Sequence, residues 1–182
     1  MTVQEVLLEA AQRLGIEKEV QKYFDGDSAD GKAAEVLLNC FNIVENELAL
    51  DYLPLYAEDE IETELGQVYY SKLSKSAVRI LSATDEWGNR AKFKLFPKYL
   101  LTHPGKVVIR YTFTPEKKEM DDDSDFILQA SSRLLALGIA AEYCIATGLY
   151  EEAEIWDKKY KNAIAATYEN KRCERIASRR WI

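Results

Sequence analysis

Apolar side chains recur at helical spacing towards both ends of the chain and at a spacing of two in its middle. Val3, Val6, Leu7, Ala10, Ala11 and Leu14 step along one face, behind a capping box of Thr2 and Glu5 and ahead of Gly15, and predict a helix over 3–14. A brief second helix follows over 17–24, until Asp25-Gly26-Asp27-Ser28-Ala29-Asp30-Gly31 breaks it. A longer helix over 32–52 presents Val36, Leu37, Cys40, Phe41, Val44 and Leu48 as a core-facing stripe. In the C-terminal third, 126–147 carries Leu128, Leu134, Leu135, Leu137, Ile139, Tyr143 and Ile145 on nearly all faces. Small Ala130, Ala136, Gly138, Ala140 and Ala141 lie among them, which is the pattern of a buried central helix. Gly148 ends it, and Leu149, Ala153, Trp156, Tyr160, Ala163 and Thr167 then step by four and three along a final helix.

At Leu53-Pro54-Leu55 the period changes. Over 106–114, Val107, Ile109, Tyr111 and Phe113 face one way while Lys106, Arg110, Thr112 and Thr114 face the other, as in a half-buried strand. Ala91-Lys92-Phe93-Lys94-Leu95 alternates similarly, as does Val78-Arg79-Ile80, and Asp85-Glu86-Trp87-Gly88-Asn89 between them supplies hairpin turn chemistry. A further strand is read over 67–73. The architecture expected is α+β: a helical bundle with a small antiparallel β module inserted between N-terminal and C-terminal helices. The parts are 1–52, 53–120 and 121–182.

A length of 182 residues suits one domain with one insertion, and 47% hydrophobic with 30% charged residues is a globular composition. No apolar run is long enough to span a bilayer, and Met1-Thr2-Val3-Gln4-Glu5 lacks the character of a signal peptide, so a soluble intracellular chain is expected, with no membrane partner. Cys40, Cys144 and Cys173 are odd in number and widely spaced, which points to reduced thiols and away from a cysteine-rich zinc site. A single histidine, His103, leaves no HExxH site, no two-histidine facial triad and no paired-histidine acid/base scheme. It stands before Pro104-Gly105 and reads as a turn residue. No GxGxxG, Walker A or GxSxG stretch occurs. The loop from Asp25 fails as an EF-hand, because Asp30 and Val36 stand where Gly and Glu are required. Met120-Asp121-Asp122-Asp123-Ser124-Asp125 reads as a charged break whose acids suit the start of the next helix, a metal site being the alternative. No enzyme, cofactor or metal is expected.

The net charge of −7 is unevenly spread. Residues 1–66 hold 16 acids and 4 bases, residues 67–120 hold 4 acids and 11 bases, and residues 121–182 hold 11 acids and 9 bases. Such asymmetry serves nucleic acid, or head-to-tail association in which an acidic surface meets a basic neighbour. The last twelve residues sum to +4 and end in Trp181-Ile182. If the final helix runs to Arg180 it is roughly 45 Å long, beyond the ~40 Å width of a compact chain of this size, so its end should protrude. Helix-terminal bases suit the macrodipole, but that does not account for Trp181 and Ile182. Arg172, Arg175, Arg179, Arg180, Trp181 and Ile182 therefore read as a docking tail.

This order of elements resembles the head-to-tail adaptor (connector) proteins of tailed bacteriophages and their prophage relatives, of the tail tubular protein A kind. Lys106-Val107-Val108-Ile109-Arg110-Tyr111-Thr112-Phe113-Thr114-Pro115 resembles the strand closing that family's β module. Leu134-Leu135-Ala136-Leu137-Gly138-Ile139-Ala140-Ala141-Glu142-Tyr143, then Gly148-Leu149-Tyr150-Glu151-Glu152-Ala153-Glu154-Ile155-Trp156, resembles the paired helices after it. The likeness covers about residues 2–168. It implies a structural virion protein at the head-to-tail interface, assembled in the host cytoplasm. Such a protein forms a ring, commonly of twelve copies, on the portal protein, continues the DNA channel without sequence-specific binding and receives a tail or nozzle protein. In relatives the C-terminal helix or tail often reaches the portal, which agrees with the docking tail. The acidic N-terminal third would then line the lumen or meet a neighbour's basic β module, since a channel lined with bases would grip the sliding duplex.

Two other readings stand beside this one. The basic β segment, with Tyr69, Tyr70, Phe93, Tyr99 and Tyr111, could stack bases as a nucleic-acid-binding module, although strand alternation puts Phe93 and Tyr111 in the core. An enzyme of unrecognised class is the third, and for it Glu151 and Glu152 make poor partners because neighbours on a helix diverge.

Overall fold

The computed structural model of the chain describes residues 1–27 and 31–172, with 168–172 as backbone. Among them the fold is α+β. It begins with α1 (Val3–Leu14), α2 (Glu17–Phe24) and α3 (Lys32–Glu47), continues as β1 (Leu55–Thr63), β2 (Gln67–Tyr69), β3 (Ala77–Asp85), β4 (Arg90–Ala91), β5 (Lys94–Leu95), β6 (Tyr99–Leu101) and β7 (Gly105–Phe113), and ends with α4 (Ser132–Thr147) and α5 (Tyr150–Arg172). The chain forms two compact units, Met1–Glu45 together with the chain from Lys118 onward, and residues 46–117. The divisions fall at 45/46 and 117/118, whereas 52/53 and 120/121 were expected, so the chain from Asn46 to Tyr52 belongs to the second unit.

In the helical unit, the Thr2 Oγ1 accepts from the Glu5 backbone N–H at 3.2 Å and the Glu5 carboxylate accepts from the Thr2 N–H at 2.9 Å, closing the capping box that starts α1. Gly15 ends α1 in the left-handed conformation, φ 75°. Helix α1 packs on α2 and α4, and α4 on α5. The 32–52 helix keeps α geometry to Glu47 and then widens into a π turn over Leu48–Tyr52. Along it Leu37, Cys40, Phe41, Val44 and Leu48 are buried as expected, while Val36 is half-buried. The same helix buries two polar groups. Asn42 clasps the returning chain, its amide accepting from the Lys118 N–H at 2.6 Å and donating to the Lys118 carbonyl at 3.1 Å. Glu45, fully buried, accepts through one oxygen from Ser124 Oγ at 2.6 Å and the Asp125 N–H at 2.9 Å. Burial pushes its carboxyl above the ordinary range despite those bonds and the nearby Lys118.

The central helix is shorter than its apolar pattern suggested. Helix α4 begins at Ser132, capped by Ser131 Oγ on the Leu134 N–H at 3.2 Å, and not at 126. The backbone N–H groups of Ser124, Asp125 and Phe126 are engaged by the Met1 carbonyl, Glu45 and Ser124 Oγ, so this stretch is tied to α1 and α3 instead of helical. Leu128 is therefore 96% exposed, and the acids of 121–125 do not stand at the start of α4. From Leu134 to Ala141 every residue is buried. Gly138 sits where a Cβ would come within 2.7 Å of Val44 Cγ1 and 3.0 Å of the Tyr160 ring, so its lack of a side chain is what lets α3 and α5 close on α4. Gly148 ends the helix at φ 81°, and α5 packs through Ala153, Tyr160 and Ile164.

The β unit holds a four-stranded antiparallel sheet in the order β1-β7-β3-β4 and a three-stranded sheet in the order β2-β6-β5. Strand β7 lies inside the first, pairing Leu55 to Phe113 through Thr63 to Gly105 with β1, and Val107, Ile109, Tyr111 and Phe113 are its buried face, as alternation predicted. The strand read over 91–95 is instead two. Arg90–Ala91 pairs with β3, the chain crosses at Lys92-Phe93, and Lys94–Leu95 joins β6 in the second sheet. The stretch 67–73 is a strand only to Tyr69, after which Tyr70–Lys72 makes a 3₁₀ turn. At the corner between β1 and β2 only a glycine fits: Gly66 has φ 70°, and a Cβ there would collide with the Thr102 carbonyl.

Candidate assembly surfaces

The β unit offers two surfaces built on a braced frame. Strand β1, not foreseen in the sequence, alternates exposed Tyr56, Glu58, Glu60 and Glu62 with buried or half-buried Leu55, Ala57, Asp59, Ile61 and Thr63. On its inner face Asp59 ties it to the segment before β3. Its carboxylate accepts from the Tyr111 hydroxyl at 2.7 Å, from the Ser74 N–H at 2.7 Å and from the Ser74 hydroxyl at 2.7 Å. Tyr111 in turn accepts from the Lys75 N–H at 3.1 Å. Burial pushes Asp59 up, but the bonds from Tyr111 and Ser74 outweigh it and hold the carboxyl below its ordinary value. On the outer face Glu58 pairs with Arg110 at 3.5 Å and Glu60 with Lys106, whose ammonium is held above its ordinary value by the bond to Glu60.

At the far border the β3–β4 turn is fixed by one carboxylate. Asp85 accepts from the N–H groups of Trp87 at 3.0 Å and Asn89 at 2.7 Å and from the Asn89 side chain at 3.1 Å. This is the turn chemistry read from the sequence, and it presents Trp87 77% exposed. Beyond it, Ala91, Lys92, Phe93, Lys94, Leu101, Thr102 and His103 line an open cavity of about 680 Å³. His103 is thus half-buried beside lysines.

The aromatics considered for base stacking separate. Tyr111 is buried, and Phe93, Tyr70 and Tyr99 are half-buried. Tyr69 is 44% exposed, its ring centroid 5.7 Å from that of Tyr99, on which Phe96 stacks at 4.9 Å. Cys40 and Cys144 are buried free thiols, and burial pushes Cys40 up to about 12. Glu151 and Glu152 are both exposed near the start of α5. Among the described residues no group of His, Cys, Asp or Glu is arranged to hold a metal ion, and no helix is long and apolar enough to cross a membrane.

Of the residues that the sequence suggested as a docking tail, Arg172 closes α5 as backbone, while Arg175, Arg179, Arg180, Trp181, Ile182 and the side chain of Arg172 lie outside the described residues, as do Cys173 and Asp30 of the rejected calcium loop. The acid of β1 was legible only as the charge of the N-terminal third; its alternation with Leu55, Ala57, Ile61 and Thr63 was the signal that places it on a strand. Compared with models of known families the chain matches none, and no curated protein matches it significantly.

Proposed function

We propose that this chain is a structural assembly protein, a head-to-tail adaptor that docks on a portal, forms a ring of about twelve copies continuing the DNA channel and presents a surface for a tail or nozzle protein. The observation that carries this reading is the element order. N-terminal helices, an inserted antiparallel β module closed by Gly105–Phe113 and two C-terminal helices broken at Gly148 form the arrangement expected from the resemblance. The docking role of Arg172, Arg175, Arg179, Arg180, Trp181 and Ile182 rests on composition: bases for an acidic partner, and two large apolar residues to be buried in it. Electron microscopy of the chain mixed with portal particles tests the function. A ring on the portal is expected, and removal of residues 171–182 should leave the circular dichroism unchanged while abolishing binding. Full binding by the shortened chain would remove the tail's role, and portals left bare by the intact chain would remove the adaptor reading.

A second reading has one observation in its favour. Exposed Tyr69 beside Tyr99 and Phe96 forms an aromatic platform on a sheet carrying Lys94 and flanked by Lys98. Electrophoretic titration with single-stranded DNA separates the two. Nanomolar retention that collapses steeply with salt would favour nucleic-acid binding, and an adaptor should show little retention.

A further inference from the structure

The charge separation that runs along the sequence is concentrated inside the β unit. Residues 46–66 carry seven acids and no base, while 67–117 carry ten bases and three acids, so the unit is neutral yet divided −7 against +7. The topology converts this division into two opposite borders. Strand β1 is one edge of the four-stranded sheet and β4 the other. From β1 the chain turns through residues 64–66 into β2, an edge of the three-stranded sheet, and from β4 it crosses through 92–93 into β5, the opposite edge. With strands about 4.8 Å apart, the borders of the four-stranded sheet are separated by roughly 14 Å.

Pairing across the sheet neutralises its middle and leaves those borders charged. Glu58 and Glu60 meet Arg110 and Lys106 of β7. Exposed Glu64 on the first border, and exposed Arg90, Lys92 and Lys94 on the second, make no ion pair among the described residues, while Glu62, opposite Lys106 in the register, shares that ammonium's field with Glu60 without a salt bridge of its own. Each border also carries apolar surface that a contact would cover, Tyr56 and Leu65 on the acidic side, Leu95 and Phe96 on the basic side. A symmetric contact would set acid against acid or base against base, whereas a heterologous one sets acid against base.

We propose that the β1 border of one copy docks against the β4–β5 border of a second copy, head to tail. The inference deepens the adaptor reading and rests on it for closure of the series into a ring, since a heterologous contact gives rings or filaments according to its rotation.

Two charge reversals of the full chain test the contact, E62K/E64K and K92E/K94E, followed by sedimentation velocity at high protein concentration and low ionic strength. The unaltered chain should self-associate and release as added salt shortens the screening length to about 8 Å. Each variant alone, now bearing the same sign on both borders, should associate at least about tenfold more weakly, and an equimolar mixture should recover association, because each then offers the sign that the other lacks. Circular dichroism checks that both variants fold, and the milder E62Q/E64Q should fall between. Association that both reversals leave unchanged, a mixture that does not recover, or an unaltered chain that stays monomeric in low salt would overturn the proposal. Rings on portals built equally well by both variants would sink this contact while leaving the adaptor reading intact. Salt-sensitive head-to-tail association without portal binding would do the reverse.

Discussion

Tyr111 shows how one strand position holds two elements at once. Its ring is fully buried on the inner face of β7, while its hydroxyl donates to Asp59 of β1 and accepts from the Lys75 N–H. Removing that hydroxyl leaves Asp59 and Lys75 short of a partner, so Tyr111→Phe is expected to lower stability by about 1–3 kcal/mol, read from the urea midpoint at neutral pH. The same network sets an acid dependence. The carboxyl of Asp59 lies below its unfolded value of about 3.9, so the stabilisation is fully present above that pH and is lost as pH falls through the still lower folded value. The substitution should therefore shrink the stability difference between pH 7 and pH 3, and an undiminished difference would assign the effect to Ser74 alone. Alternation along 106–114 made the inward ring legible, but not the hydroxyl's partners, which stand 52 and 36 positions away.

Helices and strands were unequally legible, for physical reasons. An amphipathic helix repeats its pattern over several turns, so α1, α2 and most of α3 and α5 follow from local spacing. Strands of two residues carry no period, and Arg90–Ala91 and Lys94–Leu95 merge in the sequence into one alternating run. The nine residues of β1 do alternate, but charged Asp59 on the inward face interrupts the apolar series of Leu55, Ala57 and Ile61, so the period of two is masked. The start of α4 was misplaced because Phe126 and Leu128 extend its apolar pattern. Only the tertiary bonds of 124–126 show that this stretch is held elsewhere. Within α4, the small residues correctly announced close packing. Gly138→Ala adds helix propensity of about 1 kcal/mol but drives a methyl into Val44 and Tyr160, and overpacking of about 1–3 kcal/mol should prevail. Thermal unfolding of the variant is expected at a lower midpoint, and a raised midpoint would mean that Tyr160 swings aside at little cost.

For the whole molecule, the composition pointed to assembly through charge without saying where the charges meet. The candidate site was legible as sign and sequence position, acid before residue 66 and base after it. Its division into two borders needed the strand order, which joins residues far apart along the chain. The tail residues proposed for docking are read from composition alone, bases followed by two large apolar residues, and no periodicity accompanies them. The clasp that Asn42 makes on Lys118 bears on how such a chain can vary over descent. The polypeptide leaves the bundle after Glu45 and re-enters at Lys118, and Asn42 of the departing helix grips the returning backbone directly. An insertion whose two ends are pinned at neighbouring points can lengthen, shorten or be exchanged at a modest entropic cost, because closure depends only weakly on the length of the loop. The β unit is thus a cassette, free to be refitted to new neighbours while the helical unit stays the same.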